Sequence, residues 1–123
     1  MKTINVQELE EVIKGYVNKE ISTPLIVFGK DHLDARRQIV MSLFGDVNFW
    51  KINYPDDNPT TDMPFCLFDT YMGEEYTDSV LRNCFTIAKV RRIPVFCFLH
   101  SGYIDKIPED ITKDLDLYVF EDD

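Results

Sequence analysis

Basic residues are scarce in this chain: thirteen lysines and arginines stand against twenty-two aspartates and glutamates in 123 residues, a formal charge of −9. Affinity for nucleic acid grows with the number of phosphates neutralised, so this balance suits direct nucleic-acid binding poorly. No apolar run reaches the roughly 18 residues of a membrane span. The start, Met1-Lys2-Thr3-Ile4-Asn5, turns polar too soon for the apolar core of a signal peptide. Cysteine is limited to Cys66, Cys84 and Cys97, an odd number in apolar surroundings. That count argues for buried free thiols in a reducing compartment and against a disulfide framework, so a cytoplasmic protein is expected. There is no internal repeat, low-complexity tract or linker, and the length suits one domain over residues 1–123. An apolar fraction of 45% and an aromatic fraction of 13% can supply a core without metal or disulfide staples.

The negative charge is uneven. From Asp105 to Asp123 eight acids stand against two lysines, a net −6 of the total −9. Solubility accounts for such a stretch; attraction to a basic protein partner, or mimicry of DNA charge, is the sharper account. On that account Asp110, Asp114, Asp116 and Glu121 are the partner-binding candidates.

The apolar pattern alternates between two periods. Asn5 with Glu8 three residues on forms a capping-box pair, and Leu9, Val12, Ile13, Tyr16 and Val17 follow at helical spacing. Leu25-Ile26-Val27-Phe28 is a continuous apolar run of the kind buried on both faces of a sheet. Asp31 is placed to cap a second helix, with Ala35, Ile39 and Leu43 along one side, Val40 and Phe44 flanking them and Gly45 at its end. Val47 to Asn53 reads as a short strand, Tyr54 to Met63 as a loop, and Phe65 to Phe68 as a strand. A helix from about Tyr76 to Arg91 leads to the strand at Ile93. A helical turn near Pro108 to Ile111 precedes a last strand, Leu115 to Phe120. Strands alternating with helices predict an α/β three-layer sandwich with a largely parallel central sheet of about five strands. Ligand sites in such sheets lie at the carboxyl ends of the strands, here Gly29-Lys30, Asp69-Thr70 and His100-Ser101.

A phosphate loop reads G-x-x-x-x-G-K-[ST]: glycines let backbone amides wrap the phosphates, lysine reaches the outer ones and the hydroxyl holds magnesium. From Gly29 this chain reads Gly29-Lys30-Asp31-His32-Leu33-Asp34-Ala35-Arg36, with no second glycine and no lysine–hydroxyl pair. Asp31 and Asp34 would put negative charge at a helix start that otherwise attracts anions. Asp69 follows four apolar residues, as a magnesium-directing aspartate does, but Thr70 stands where a water-orienting acid is usual; Glu74 and Glu75 lie nearby. His32 and His100 fall near the same edge, where a His–Asp pair could do acid–base work, though surface or structural roles fit the loose spacing better. Arg36-Arg37 and Arg91-Arg92 read as solvated helix faces or ends, with salt-bridging to a partner as the alternative for either pair.

The second half resembles the end of a P-loop ATPase core, and is most similar to viral DNA-packaging ATPases and their DNA-pumping relatives. The likeness runs through Phe65-Cys66-Leu67-Phe68-Asp69, Leu81-Arg82-Asn83, Lys89 to Ser101, Ile107-Pro108-Glu109-Asp110-Ile111 and Asp116 to Phe120. Arg91-Arg92 takes the place of an Arg-His pair, His100 or Ser101 that of a polar sensor, and Lys113 stands one place late for the arginine of an "I-P-x-x-I-R" turn. The resemblance implies an ATP motor of viral or mobile-element origin; the altered loop, acid and sensor instead imply a retained scaffold without catalysis or cofactor. A second resemblance, to glutaredoxin and thioredoxin folds, rests on the Leu25 strand, Phe49 to Asn53 and Arg92-Ile93-Pro94-Val95. It implies a redox-inactive adaptor, because no cysteine stands near Asp31 to Asp34. The expectation is therefore a non-catalytic protein-binding or regulatory domain with no cofactor. The enzymatic alternative is a nucleotide-binding hydrolase using Lys30 on phosphate and Asp69 on magnesium.

Overall fold

The computed structural model describes residues 1–30, 33–59, 62–69 and 73–121, with residues 33–35 described by backbone alone. Its strands are β1 (Lys2–Ile4), β2 (Leu25–Gly29), β3 (Trp50–Lys51), β4 (Cys66–Phe68), β5 (Val95–His100) and β6 (Tyr118–Phe120). Its helices are α1 (Val6–Val17), α2 (Leu33–Phe44), α3 (Glu74–Arg91) and the short α4 (Glu109–Thr112), with a 3₁₀ helix over Ser101–Lys106. The strands form one sheet in the order β1-β6-β2-β5-β4-β3, and every neighbouring pair is parallel. This is the α/β layered architecture expected, with a sixth strand added at one edge.

Local chemistry explains the helix ends. Asn5 accepts from Glu8 N at 2.9 Å while Glu8 Oε1 accepts from Asn5 N at 3.2 Å, closing the capping box of α1. Gly45, at φ 81°, supplies the left-handed residue after α2, and its N–H bonds Met41 O at 2.8 Å. The cap that the sequence assigns to Asp31 lies outside the described residues.

The order of the strands sorts the helices between the two faces. The connections β1 to β2 and β2 to β3 advance across the sheet; those from β3 to β4, β5 and β6 return. Parallel crossovers are right-handed, so the two sets lie on opposite faces. Leu9 and Ile13 of α1 and Val40 of α2 pack on Leu25, Val27, Leu67, Phe96, Phe98 and Phe120. Val80, Leu81 and Cys84 of α3, with Tyr103, pack on Ile26, Phe28, Cys66, Phe68, Cys97 and Leu99. Alternate residues of each strand thus feed two cores, which is why the central strands read as unbroken apolar runs. All three thiols are free and buried in the second core.

The strands differ from expectation at three places, one of them the last strand, expected over Leu115 to Phe120 and limited to Tyr118–Phe120. β1 was not anticipated: only Ile4 of its three residues is buried, and its pairing with β6 spans nearly the whole chain. The strand expected over Val47 to Asn53 is limited to Trp50–Lys51, although Ile52 is fully buried beside it. Among the described residues no helix is long and apolar enough to cross a membrane.

Candidate functional site

The carboxyl edge of the sheet has its topological switch between β2 and β5. The chain leaves β2 into α2 on one face and leaves β5 into the 3₁₀ helix on the other, the arrangement that opens a crevice in such folds. Gly29 and His100, paired in register, mark this place.

Arg36 fills it. The sequence assigns Arg36-Arg37 to a solvated helix face; instead Arg36 is 2% exposed. Its Nη1 donates to Val27 O at 2.8 Å and to Leu99 O at 3.2 Å, joining the ends of β2 and β5. Its Cζ lies 5.5 Å from the ring centre of Phe98, a cation–π distance. Among the described residues Nε has no hydrogen-bond partner. Burial pulls this guanidinium down to about 10, against the opposing influence of Asp69, so it stays charged at neutral pH. The missed signal was the spacing Arg36–Val40. The fully buried line of α2 runs through those two residues, one position round the helix from the Ile39 and Leu43 line, and both of the latter are only half-buried.

Gly29 is explained by the same contact. A Cβ there would come within 2.7 Å of Arg36 Cζ and 2.9 Å of its Nη2. The glycine that resembles the start of a phosphate loop is one that lets a guanidinium lie against the strand.

Asp69, just beyond β4, is enclosed by cations from two other elements. Arg37 Nε and Nη2 of α2 both contact Oδ2, and Lys51 Nζ of β3 reaches Oδ1 at 3.3 Å. Its carboxylate is fully buried, whereas Arg37 and Lys51 stay partly in water. Both oxygens are therefore occupied by charge-assisted contacts. A cavity of about 340 Å³ opens beside them, floored by Met41, Phe49 and Leu67.

The other candidates disperse. Lys30 is exposed just after β2. His100 is also exposed, and its Nδ1 accepts from Gly102 N at 2.9 Å, capping the 3₁₀ helix. His32 and Thr70 lie outside the described residues, as do the side chain of Asp34 and the whole of Asp31. Glu74 and Glu75 open the first turn of α3, exposed. Arg92 is exposed at the end of α3, as expected, and holds a left-handed conformation there, with Nη1 donating to Ile21 O at 3.1 Å.

Glu121 stands apart from Asp116 among the acidic candidates. Asp110 on α4 receives Arg82 through two bonds of 2.8 and 3.0 Å at the surface, which holds its carboxyl below the usual range. Asp114 is exposed beyond α4. Asp116 precedes β6 and Glu121 follows it, so they sit at opposite edges of the sheet, roughly 16 Å apart along an extended strand. Among the described residues no group of three or more His, Cys, Asp or Glu side chains is arranged to hold a metal ion.

Comparison with protein families, with curated proteins and with solved structures finds no match to this chain.

Proposed function

We propose that this chain is a non-catalytic protein-binding or regulatory domain built on a P-loop ATPase-like scaffold. One observation carries the reading: the guanidinium of Arg36 lies against Gly29 and ties β2 to β5, so the strand-end crevice is filled from within. A phosphate there would have to displace a buried side chain that is bonded to two carbonyls. The setting of Asp69 adds support. Its two oxygens already hold Arg37 and Lys51, and a magnesium ion would have to replace both. Of the two scaffolds considered, the P-loop type accommodates β4 inside a sheet with parallel partners on both sides; the strand at Phe65 has no natural place in a thioredoxin-like adaptor.

The test is titration with ATP and magnesium, followed by calorimetry and by melting temperature. No heat of binding and no shift are expected. A ligand at about one hundred times its Kd stabilises a fold by about 2.7 kcal/mol. A shift of that kind that disappears in Lys30→Ala and Asp69→Ala would replace this reading with a nucleotide-binding hydrolase.

A further inference from the structure

The amino edge of the sheet carries a second concavity, on the opposite side of the molecule from Arg36 and Asp69. We propose that this groove binds a basic side chain, an arginine or lysine presented by an extended segment of a protein partner. The proposal rests on the protein-binding reading and narrows it to one surface and one chemistry.

The groove encloses about 300 Å³ between α1 and the segment leading into β6. Glu11 stands on the α1 wall and Asp116 on the facing one; both are exposed, and Lys19 is the lining cation, leaving a net −1. The last turn of α1 ends here, so the negative end of the helix dipole adds to the two carboxylates. Tyr16 and Tyr118 supply aromatic surface for a cation, and Val12 and Leu115 supply apolar surface for the stem of a long basic side chain. Burial and then the Asp116 charge push the Tyr118 phenol up, which places ring and carboxylate in one electrostatic environment.

Gly15 is the observation that turns a groove into a candidate site. It lies inside α1 and lines the groove, and a Cβ added there would meet nothing within 4 Å. A glycine at such a place costs a helix about 1 kcal/mol relative to alanine. Neither packing nor a left-handed backbone requires it. What the missing side chain does provide is an open wall.

The probes are an acetylated Ala-Arg-Ala amide and its citrulline counterpart, which keeps the shape and removes the charge. Backbone amide shifts of the full chain are followed during titration. Saturable shifts at Gly15, Leu115 and Tyr118 are expected with the arginine peptide, with affinity at least about tenfold weaker for citrulline. Gly15→Gln should melt at a higher temperature and lose the binding, a combination that a damaged fold does not give. Asp116→Asn, at an exposed position, should weaken binding and flatten its salt dependence. Absence of saturable shifts, equal affinity for citrulline, or undiminished binding by Gly15→Gln would each overturn the proposal. Failure here is separable from failure of the broader reading. Nucleotide binding at Lys30 and Asp69 would overturn the non-catalytic assignment without touching the groove. A partner held equally well by the wild type and Gly15→Gln would keep the protein-binding reading and remove this site.

Discussion

Arg36 and Gly29 occupy each other's space: the guanidinium lies where a β-carbon of residue 29 would be, with only 2.7 Å between Cζ and that position. Gly29→Ala should therefore displace Arg36 and destabilise the fold by about 1–3 kcal/mol, the usual cost of overpacking a core. Arg36→Ala should be harmful by itself, since it strips a donor from Val27 O and Leu99 O. The double substitution should cost less than the sum of the two, because each removes the other's difficulty. Urea denaturation of the four proteins measures the coupling; strict additivity would show that the two side-chain positions do not compete.

Asp69→Asn leaves Arg37 and Lys51 without their shared counter-charge. Loss of one partner from a fully buried ion pair costs about 3–5 kcal/mol. Both cations here retain contact with water, so a loss of about 1–3 kcal/mol is expected after that screening. Rising salt should narrow the difference between the wild type and the variant. A denaturation midpoint unchanged in Asp69→Asn would mean that the carboxylate is kept for something other than the fold.

The buried thiols set an alkaline limit. Burial pushes Cys66 up to about 12 and raises the Cys84 thiol as well, while a thiol in the unfolded chain ionises near pH 8.5. Between these values the unfolded chain has released a proton that the folded chain keeps, so stability falls as pH rises. The slope is about 1.4 kcal/mol per pH unit for each such thiol. Cys66→Ala should flatten the decline above about pH 9, as followed by denaturant midpoints across a pH series. At neutral pH a disulfide reagent should label none of the three thiols until the protein unfolds.

Arg92 holds a left-handed conformation, φ 59°, with a side chain that also bonds Ile21 O. A non-glycine residue at such a φ bears a cost of about 1–2 kcal/mol, and the hydrogen bond returns about 1 kcal/mol. Arg92→Ala keeps the strain and loses the bond, so it should be less stable by about 1 kcal/mol. Arg92→Gly loses the bond but sheds the strain, and should stay within about 0.5 kcal/mol of the wild type. Equal stability of the two variants would remove strain from the account.

Where neighbours in sequence decide the structure, the sequence was readable. Asn5 and Glu8 announce α1, Gly45 its successor's end, and four-residue apolar runs mark β2 and β4. What escaped depends on distant partners. β1 is a polar tripeptide with a single buried residue, and it becomes a strand only because β6 is there to pair with it. Arg36 looks solvated by composition. Its burial follows from the rotation of α2 on the sheet, which brings the Arg36–Val40 line inward, and from two carbonyls on strands 63 and 9 residues away. Asp69 was correctly singled out as a strand-end acid, yet the cations that surround it come from α2 and β3, and nothing in its own neighbourhood in sequence reports them. The groove near Gly15 has the same origin, since its walls are about 100 positions apart in the chain.

The place of β6 between β1 and β2 has a consequence for how the protein is made. When β1 and β2 have been synthesised, the strand that lies between them has not yet been made. Nothing local can take its place. β1 has no partner, and β2 none on that side, until Tyr118–Phe120 follows about 90 residues later and pairs with each. Such long-range pairing slows folding and prolongs the exposure of unpaired segments, so the closing of this sheet waits on nearly the whole chain.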